Sequence, residues 1–200
     1  MKIGIMGGTF NPVHVGHIAF LHAFINQIDL DICYVIPARR SPFRMNEPLA
    51  EDMHRLRMLE LACKDITHVI VSDMEILREG LSFTIDTVKQ IYSQYPNAEI
   101  YLLIGEDQAY RFKEWKDWIE LMSLARLCIV QRTEDANVPS LVEELVRGHN
   151  VLSPIILNAP IFHVSSTLIR ESVSNEKSIS SYVPETVESY IHSHHLYRKS

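Results

Sequence analysis

The sequence predicts a doubly wound α/β domain, a mainly parallel sheet with helices on both faces. Three observations carry this expectation. Short, continuously apolar runs such as residues 3–6, 32–36 and 100–104 recur along the chain and read as strands buried on both sides. Between them lie segments whose apolar residues return every three or four positions, the spacing of an amphipathic helix. With 200 residues, 46% of them apolar, and no low-complexity block, the chain can bury such a sheet.

Taken in order, residues 2–6 form a first strand and Val15–Ile28 a helix, with Ile18, Leu21, Phe24, Ile25 and Ile28 on one side. Residues 32–36, stopped by Pro37, form the second strand. Residues 39–48 hold Pro42, Pro48 and the cations Arg39, Arg40 and Arg44, the composition of a loop. Met53, Leu56, Leu59 and Cys63 mark the next helix. Val69, Ile70 and Val71 make a third strand, which residues 75–78 are expected to extend before Gly80. Ile85, Val88, Ile91, Tyr92 and Tyr95 define a helix stopped by Pro96 and Asn97. Residues 100–104 form the fourth strand, and two short helical pieces surround Trp115 and Trp118. Residues 127–130 are the fifth strand, 141–146 a helix and 151–157 a sixth strand. Residues 166–173 and 184–194 close the chain as helices, the second with Pro184 near its first turn. No repeat or linker divides the chain. Residues 1–200 are therefore expected as one domain, its helical C-terminal part from about residue 165 packed on the rest.

Charge narrows the partners. With 19 Lys+Arg against 25 Asp+Glu the chain carries −6, which argues against nucleic acid and anionic membranes. A local basic pocket for a phosphorylated small molecule remains open. Cys33, Cys63 and Cys128 are odd in number, far apart and set in apolar segments, so they are expected as reduced, buried side chains. Met1 runs directly into a strand, and no apolar stretch approaches a membrane span. The expectation is a cytoplasmic enzyme or binding protein.

The chemistry concentrates in "GGTFNPVHVGH", residues 7–17, at the carboxyl end of the first strand, where ligands bind in this fold class. Gly7 and Gly8 permit unusual dihedrals and close approach of a ligand to the backbone. The N-terminus of the following helix favours an anion. His14 and His17, three residues apart, are expected on one face of its first turn, donating to phosphate oxygens and donating better once protonated. The stretch fits neither the dinucleotide fingerprint nor the phosphate loop that ends in Gly-Lys-Ser/Thr. Metal ligation by the pair is weak, since His22 points off their shared face, and no protein-held metal is expected. A Gly-rich turn with two helix-start histidines is the plainer alternative.

A second candidate anion site is Ser165-Ser166-Thr167 at a helix start, with Arg170 one turn inside; a simple N-cap beside a surface arginine is the alternative. Gly105 and Asp107 end the fourth strand, where Asp107 either accepts from ribose hydroxyls or caps a turn.

These residues resemble the nucleotidylyltransferase superfamily, whose signature is (H/T)xGH, and the GGTF in front of it is similar to bacterial nicotinate-nucleotide adenylyltransferases. "HRLRMLELA" at 54–62, "EILREGLSFTIDT" at 75–87, "LLIGEDQAYRFKEW" at 102–115, "VSSTLIR" at 164–170 and "YVPETVESYI" at 182–191 resemble that family's blocks in its order. The resemblance covers nearly the whole chain and implies a Rossmann-like nucleotidylyltransferase fold. One block departs. Where the family has a "PPHK"-like loop end, this chain reads "SPFR", residues 41–44, with Phe43 for a polar ring and Arg44 for a lysine.

The resemblance implies roles as well. His14, His17 and Arg170 would be catalytic. Gly7, Gly8, Thr9, Phe10, Gly105, Asp107, Ser166 and Thr167 would bind ATP. Arg44, Thr84 and Trp115 would bind the mononucleotide, Arg44 at its phosphate, the Thr84 N–H at the pyridine carboxylate and Trp115 beside the ring. The implied reaction moves AMP from ATP, with Mg²⁺, onto nicotinate mononucleotide. No base is needed, because the attacking phosphate already carries a nucleophilic oxygen, so alignment and charge neutralisation suffice. An amide-mononucleotide, phosphopantetheine or cytidylyl enzyme, or a nucleotide sensor without turnover, are the alternatives. Acid against amide, and any homo-oligomer, stay open.

Overall fold

The computed structural model describes all residues except Asn46, residues 132–136 and Ser200. Among the described residues six strands form one sheet: β1 (Lys2–Gly8), β2 (Ile32–Pro37), β3 (Val69–Val71), β4 (Glu99–Gly105), β5 (Arg126–Val130) and β6 (Ile155–Leu157). Their order is β3-β2-β1-β4-β5-β6, and every neighbouring pair is parallel. The helices are α1 (Val15–Ile28), α2 (Asp52–Cys63), α3 (Met74–Leu77), α4 (Thr84–Gln94), α5 (Glu106–Ala109), α6 (Trp118–Leu124), α7 (Val138–Val146), α8 (Ser166–Ser174) and α9 (Glu185–Ser193). The doubly wound parallel sheet expected from the sequence is the one observed.

The continuous apolar runs follow from burial on both faces. Successive strand residues point to opposite sides. Ile3, Ile5, Leu102 and Ile129 pack on one side with Val88 of α4, Leu121 of α6 and Leu141 of α7. Met6, Val35, Leu103 and Val130 pack on the other with Phe24 of α1 and Leu59 of α2. Ile169 and Val173 of α8 and Val187 and Ile191 of α9 join this second cluster, so the C-terminal helices share the sheet's own core. Among the described residues no helix is long and apolar enough to cross a membrane.

Two expectations change. Residues 75–78 do not extend β3, because Met74–Leu77 turn into helix α3. Glu75 is buried there, and its carboxylate accepts from the Thr87 hydroxyl of α4 at 2.6 Å. A buried charge settles where its partner is, and that partner lies off the sheet. The sixth strand shrinks to Ile155–Leu157. Pro154 before it has no N–H to give a ladder. All three cysteines are unpaired and buried. Burial pushes the Cys63 thiol up to about 11 and Cys128 to about 12, with Cys33 raised further still.

Gly4 of β1 lets α1 lie close against the sheet. A methyl there would stand 2.5 Å from Leu30 Cδ1 and 2.8 Å from Phe24 Cε1, both in a packed core. Gly4→Ala is therefore expected to destabilise by about 1–3 kcal/mol. Thermal unfolding checks this: the midpoint should drop roughly 2–4 °C for each kcal/mol lost, and an unchanged midpoint would show that α1 can shift at no cost.

Candidate active site

The strand order reverses between β1 and β4, so the chain winds outward in opposite directions from that pair and leaves a crevice at their carboxyl ends. Gly8 ends β1 and Gly105 ends β4. The segment from Thr9 to His14, the start of α5 and the loop after β2 therefore all begin at this one edge.

His14 and His17 build the centre of it. His14 is the N-cap of α1, with extended backbone, and His17 is the third helical residue. The His17 N–H donates to His14 Nδ1 at 3.4 Å, and the His14 N–H donates to His17 Nδ1 at 3.2 Å, a reciprocal capping box made by two imidazoles. The rings stack at 3.6 Å between centroids with 25° between planes. Both Nδ1 atoms accept, so the ring proton of each neutral imidazole sits on Nε2. Donation to a phosphate oxygen would therefore run through Nε2 of each ring.

The segment before the pair is held by its carbonyls. The Ala38 N–H donates to Gly8 O at 2.8 Å, Arg55 Nη1 to Thr9 O at 2.8 Å, Arg170 Nη1 to Asn11 O at 2.8 Å and Ser166 Oγ to Pro12 O at 2.8 Å. Arg55 is fully buried in α2 and also reaches Ala38 O at 2.7 Å, Ala50 O at 3.2 Å and the Asp52 carboxylate. Five backbone or carboxylate partners around a buried guanidinium satisfy it as burial requires. The Asn11 side chain is buried as well. Its Oδ1 accepts from the Ala50 N–H at 3.1 Å and from the Tyr197 hydroxyl at 3.0 Å, and its Nδ2 donates to Pro48 O at 3.1 Å.

The sequence-predicted residues fall around this frame. Gly7 and Gly8 lie in β1 at ordinary φ, and the left-handed residue of the turn is Phe10, at φ 47°. The dihedral freedom expected of the two glycines is not used. Gly7 instead leaves space open, since a methyl there would meet nothing within 4 Å. The Phe10 ring packs edge-on to His17 at 5.0 Å. Ser166 and Thr167 open α8, capped by Ser165. The Ser166 hydroxyl is spent on Pro12, and Thr167 Oγ1 accepts from Arg170 Nη2 at 3.2 Å. Gly105 caps α5, and Asp107 is exposed on it, taking a bond from Gln108 at 3.0 Å. Thr84 is the first residue of α4. Trp115 is half-buried beside Phe112, and its Nε1 is buried without a hydrogen-bond partner among the described residues. Phe43 lies 6.5 Å from Trp115, which brings the loop after β2 over to this side. Arg44 is exposed at its rim, paired with Glu47 at 3.2 Å.

Asn11, Arg55 and Tyr197 were not singled out by sequence. Arg55 had a signal: it shares the face of Met58, Leu59 and Ala62 in α2, a cation inside an apolar stripe. Beside His14 lies a narrow apolar recess lined by Gly16, Phe20, Ile161, Phe162 and Val164. Among the described residues no group of three or more metal-ligating side chains could hold an ion.

The profile of the cytidylyltransferase-like family matches residues 5–172. The chain is 34% identical over 197 residues to a "probable nicotinate-nucleotide adenylyltransferase" of Lachnoclostridium phytofermentans, covering 98% of each. It is 33% identical over 196 residues to one so named from Bacillus pumilus, again covering 98% of each. In fold it resembles the nicotinic acid mononucleotide adenylyltransferase of Plasmodium falciparum solved with APC, with a TM-score of 0.81 at 21% identity over 98% of this chain and 96% of the other. This chain therefore belongs to the cytidylyltransferase-like family and, within it, to the nicotinate-nucleotide adenylyltransferases.

Proposed function

We propose that this protein transfers AMP from ATP to nicotinate mononucleotide, forming nicotinate adenine dinucleotide and pyrophosphate in NAD biosynthesis, in the cytoplasm. A phosphate oxygen of the mononucleotide attacks the α-phosphorus of ATP, and the bond to the β-phosphate oxygen breaks. The single observation that carries this reading is the stacked His14–His17 pair, each Nδ1 engaged by the other residue's backbone N–H, capping α1 at the end of β1.

Such donors suit a triphosphate. They are fixed before the substrate arrives, so no reorganisation is needed as charge builds on the leaving pyrophosphate. Arg170 and the start of α8 lie beside them through Asn11 O and Pro12 O, adding a guanidinium and a helix N-terminus. Gly7, Gly8, Thr9 and Phe10 give the backbone wall, and Gly105 and Asp107 the ribose side. Mg²⁺ would accompany ATP and neutralise part of its phosphate charge, beside the donors that His14, His17 and Arg170 would supply.

The mononucleotide takes the side of Thr84, Trp115 and Arg44. The Thr84 N–H at the start of α4 receives the pyridine carboxylate. Trp115 walls the ring. Its orphaned Nε1 costs about 1–3 kcal/mol where it sits, a cost that a turn of the indole toward a bound ligand relieves. Arg44 exchanges its exposed Glu47 partner for phosphate, a small sacrifice because exposed pairs are worth about 0–1 kcal/mol.

Pyrophosphate release with ATP and, in turn, nicotinate mononucleotide, nicotinamide mononucleotide and phosphopantetheine tests the substrate. Turnover is expected with the pyridine nucleotides and fastest with the acid; release with phosphopantetheine alone, or with none, overturns the reading. His17→Ala should lower kcat on the order of 100-fold or more while KM for the mononucleotide changes little. Equal losses in both would place His17 in binding. Nitrogen-15 spectra near neutral pH should show Nδ1 of both rings as the unprotonated nitrogen; a proton on Nδ1 of either would contradict the reciprocal cap.

A further inference from the structure

We propose that Tyr197 is a positioning residue, whose hydroxyl holds Asn11 so that the segment after β1 and the loop after β2 stay in register for in-line transfer. The inference rests on the adenylyl-transfer reading of the site. Asn11 is where the two substrate loops meet. Its Nδ2 donates to Pro48 O at 3.1 Å and its Oδ1 accepts from the Ala50 N–H at 3.1 Å, both at the end of the loop that carries Arg44. Its own carbonyl accepts from Arg170 Nη1 at 2.8 Å. The Tyr197 hydroxyl, 186 positions along the chain, fills the second acceptor site of Oδ1 at 3.0 Å. With both lone pairs of Oδ1 taken, the amide has one orientation.

The backbone of the tail supports this. After α9 the chain turns back through His195 at φ 53° and Tyr197 at φ 63°, two side-chain-bearing residues in the left-handed region within three positions. That region is costly for such residues and persists where surrounding contacts hold it. The Leu196 N–H donates to Ile191 O at 3.0 Å, and Leu196 and Tyr197 pack on the core. The bent tail thus delivers one hydroxyl to Asn11. Burial pushes the phenol well above its ordinary value, with the Arg170 and Arg55 guanidiniums opposing, so it stays a donor at working pH.

The register matters for turnover and little for binding. Each substrate has contacts of its own beyond these two loops, whereas attack requires both loops in fixed relation. Tyr197→Phe keeps the ring and removes one oxygen. Its kcat is expected to fall about tenfold, with KM for ATP and for the mononucleotide within about twofold of wild type. In a double-mutant cycle, Tyr197→Phe should slow Asn11→Ala no further, because the Tyr197 hydroxyl acts through Asn11 Oδ1. Additive losses, a wild-type kcat in Tyr197→Phe, or a loss carried by KM would each overturn the proposal. Hydrogen exchange of the Asn11 side-chain amide gives a readout without turnover and without the Asn11 variant: it should quicken in Tyr197→Phe, and unchanged exchange refutes the clasp. Absent turnover in the wild-type protein would instead strike the reaction, with the clasp then decided by the exchange measurement.

Discussion

The carbonyl oxygens of Gly8, Thr9, Asn11 and Pro12 all hydrogen-bond into the protein, and the site depends on this. A peptide carbonyl turned toward a triphosphate would repel it. Here the negative ends of four peptide dipoles are taken by donors from the end of β2, from α2 and from α8. Two of those donors are guanidiniums, whose bonds are each worth about 1.5–3 kcal/mol. They therefore fix the segment and leave positive potential beside it. A chain with a net charge of −6 can still offer an anion site in this way, by local placement of cations and not by overall balance.

The same bonds explain why the chain is wound as it is. Ala38 follows β2, Arg55 lies one helix further on, and Ser166 and Arg170 come after the last strand. Each reaches the end of β1 because that strand lies at the middle of the sheet, next to β4, with windings on either side. The C-terminal helices complete the core of one sheet face and also close the site from behind. Removing α8 would take away the donors to Asn11 O and Pro12 O, so that helix is part of what fixes the segment.

How much of this was legible follows from the range of each interaction. Strands buried on both faces announce themselves as unbroken apolar runs, and helices by their spacing, so the doubly wound sheet could be read. Local failures have local physics: Glu75 chose a partner in α4, and Pro154 shortened β6. The histidine pair was visible because its members are three residues apart, but the reciprocal cap was not, since His14 lies outside the helix that the spacing suggested. Asn11, Arg55 and Tyr197 act on partners 39, 46 and 186 positions away, distances at which no periodicity carries information. The turn was misassigned to glycine for a related reason. Phe10 takes the left-handed position because its ring is packed against Gly8 and His17, a tertiary contact that overrides its preference.

Phe43 and Arg44, the departure from the family's loop end, acquire a physical sense in this setting. Phe43 offers no polar ring atom for a hydrogen bond. Instead its ring lies 6.5 Å from Trp115, and the Arg111 guanidinium sits 4.7 Å from its centroid. Arg111 is itself held by Glu114 at 2.7 Å, at the foot of the Trp115 segment. Cation–π and aromatic contacts of this kind are worth about 0.5–1.5 kcal/mol each. They tie the loop to the segment that carries the indole. The loop bearing Arg44 and the Trp115 segment are consequently joined, and a shift of Trp115 would carry that loop with it.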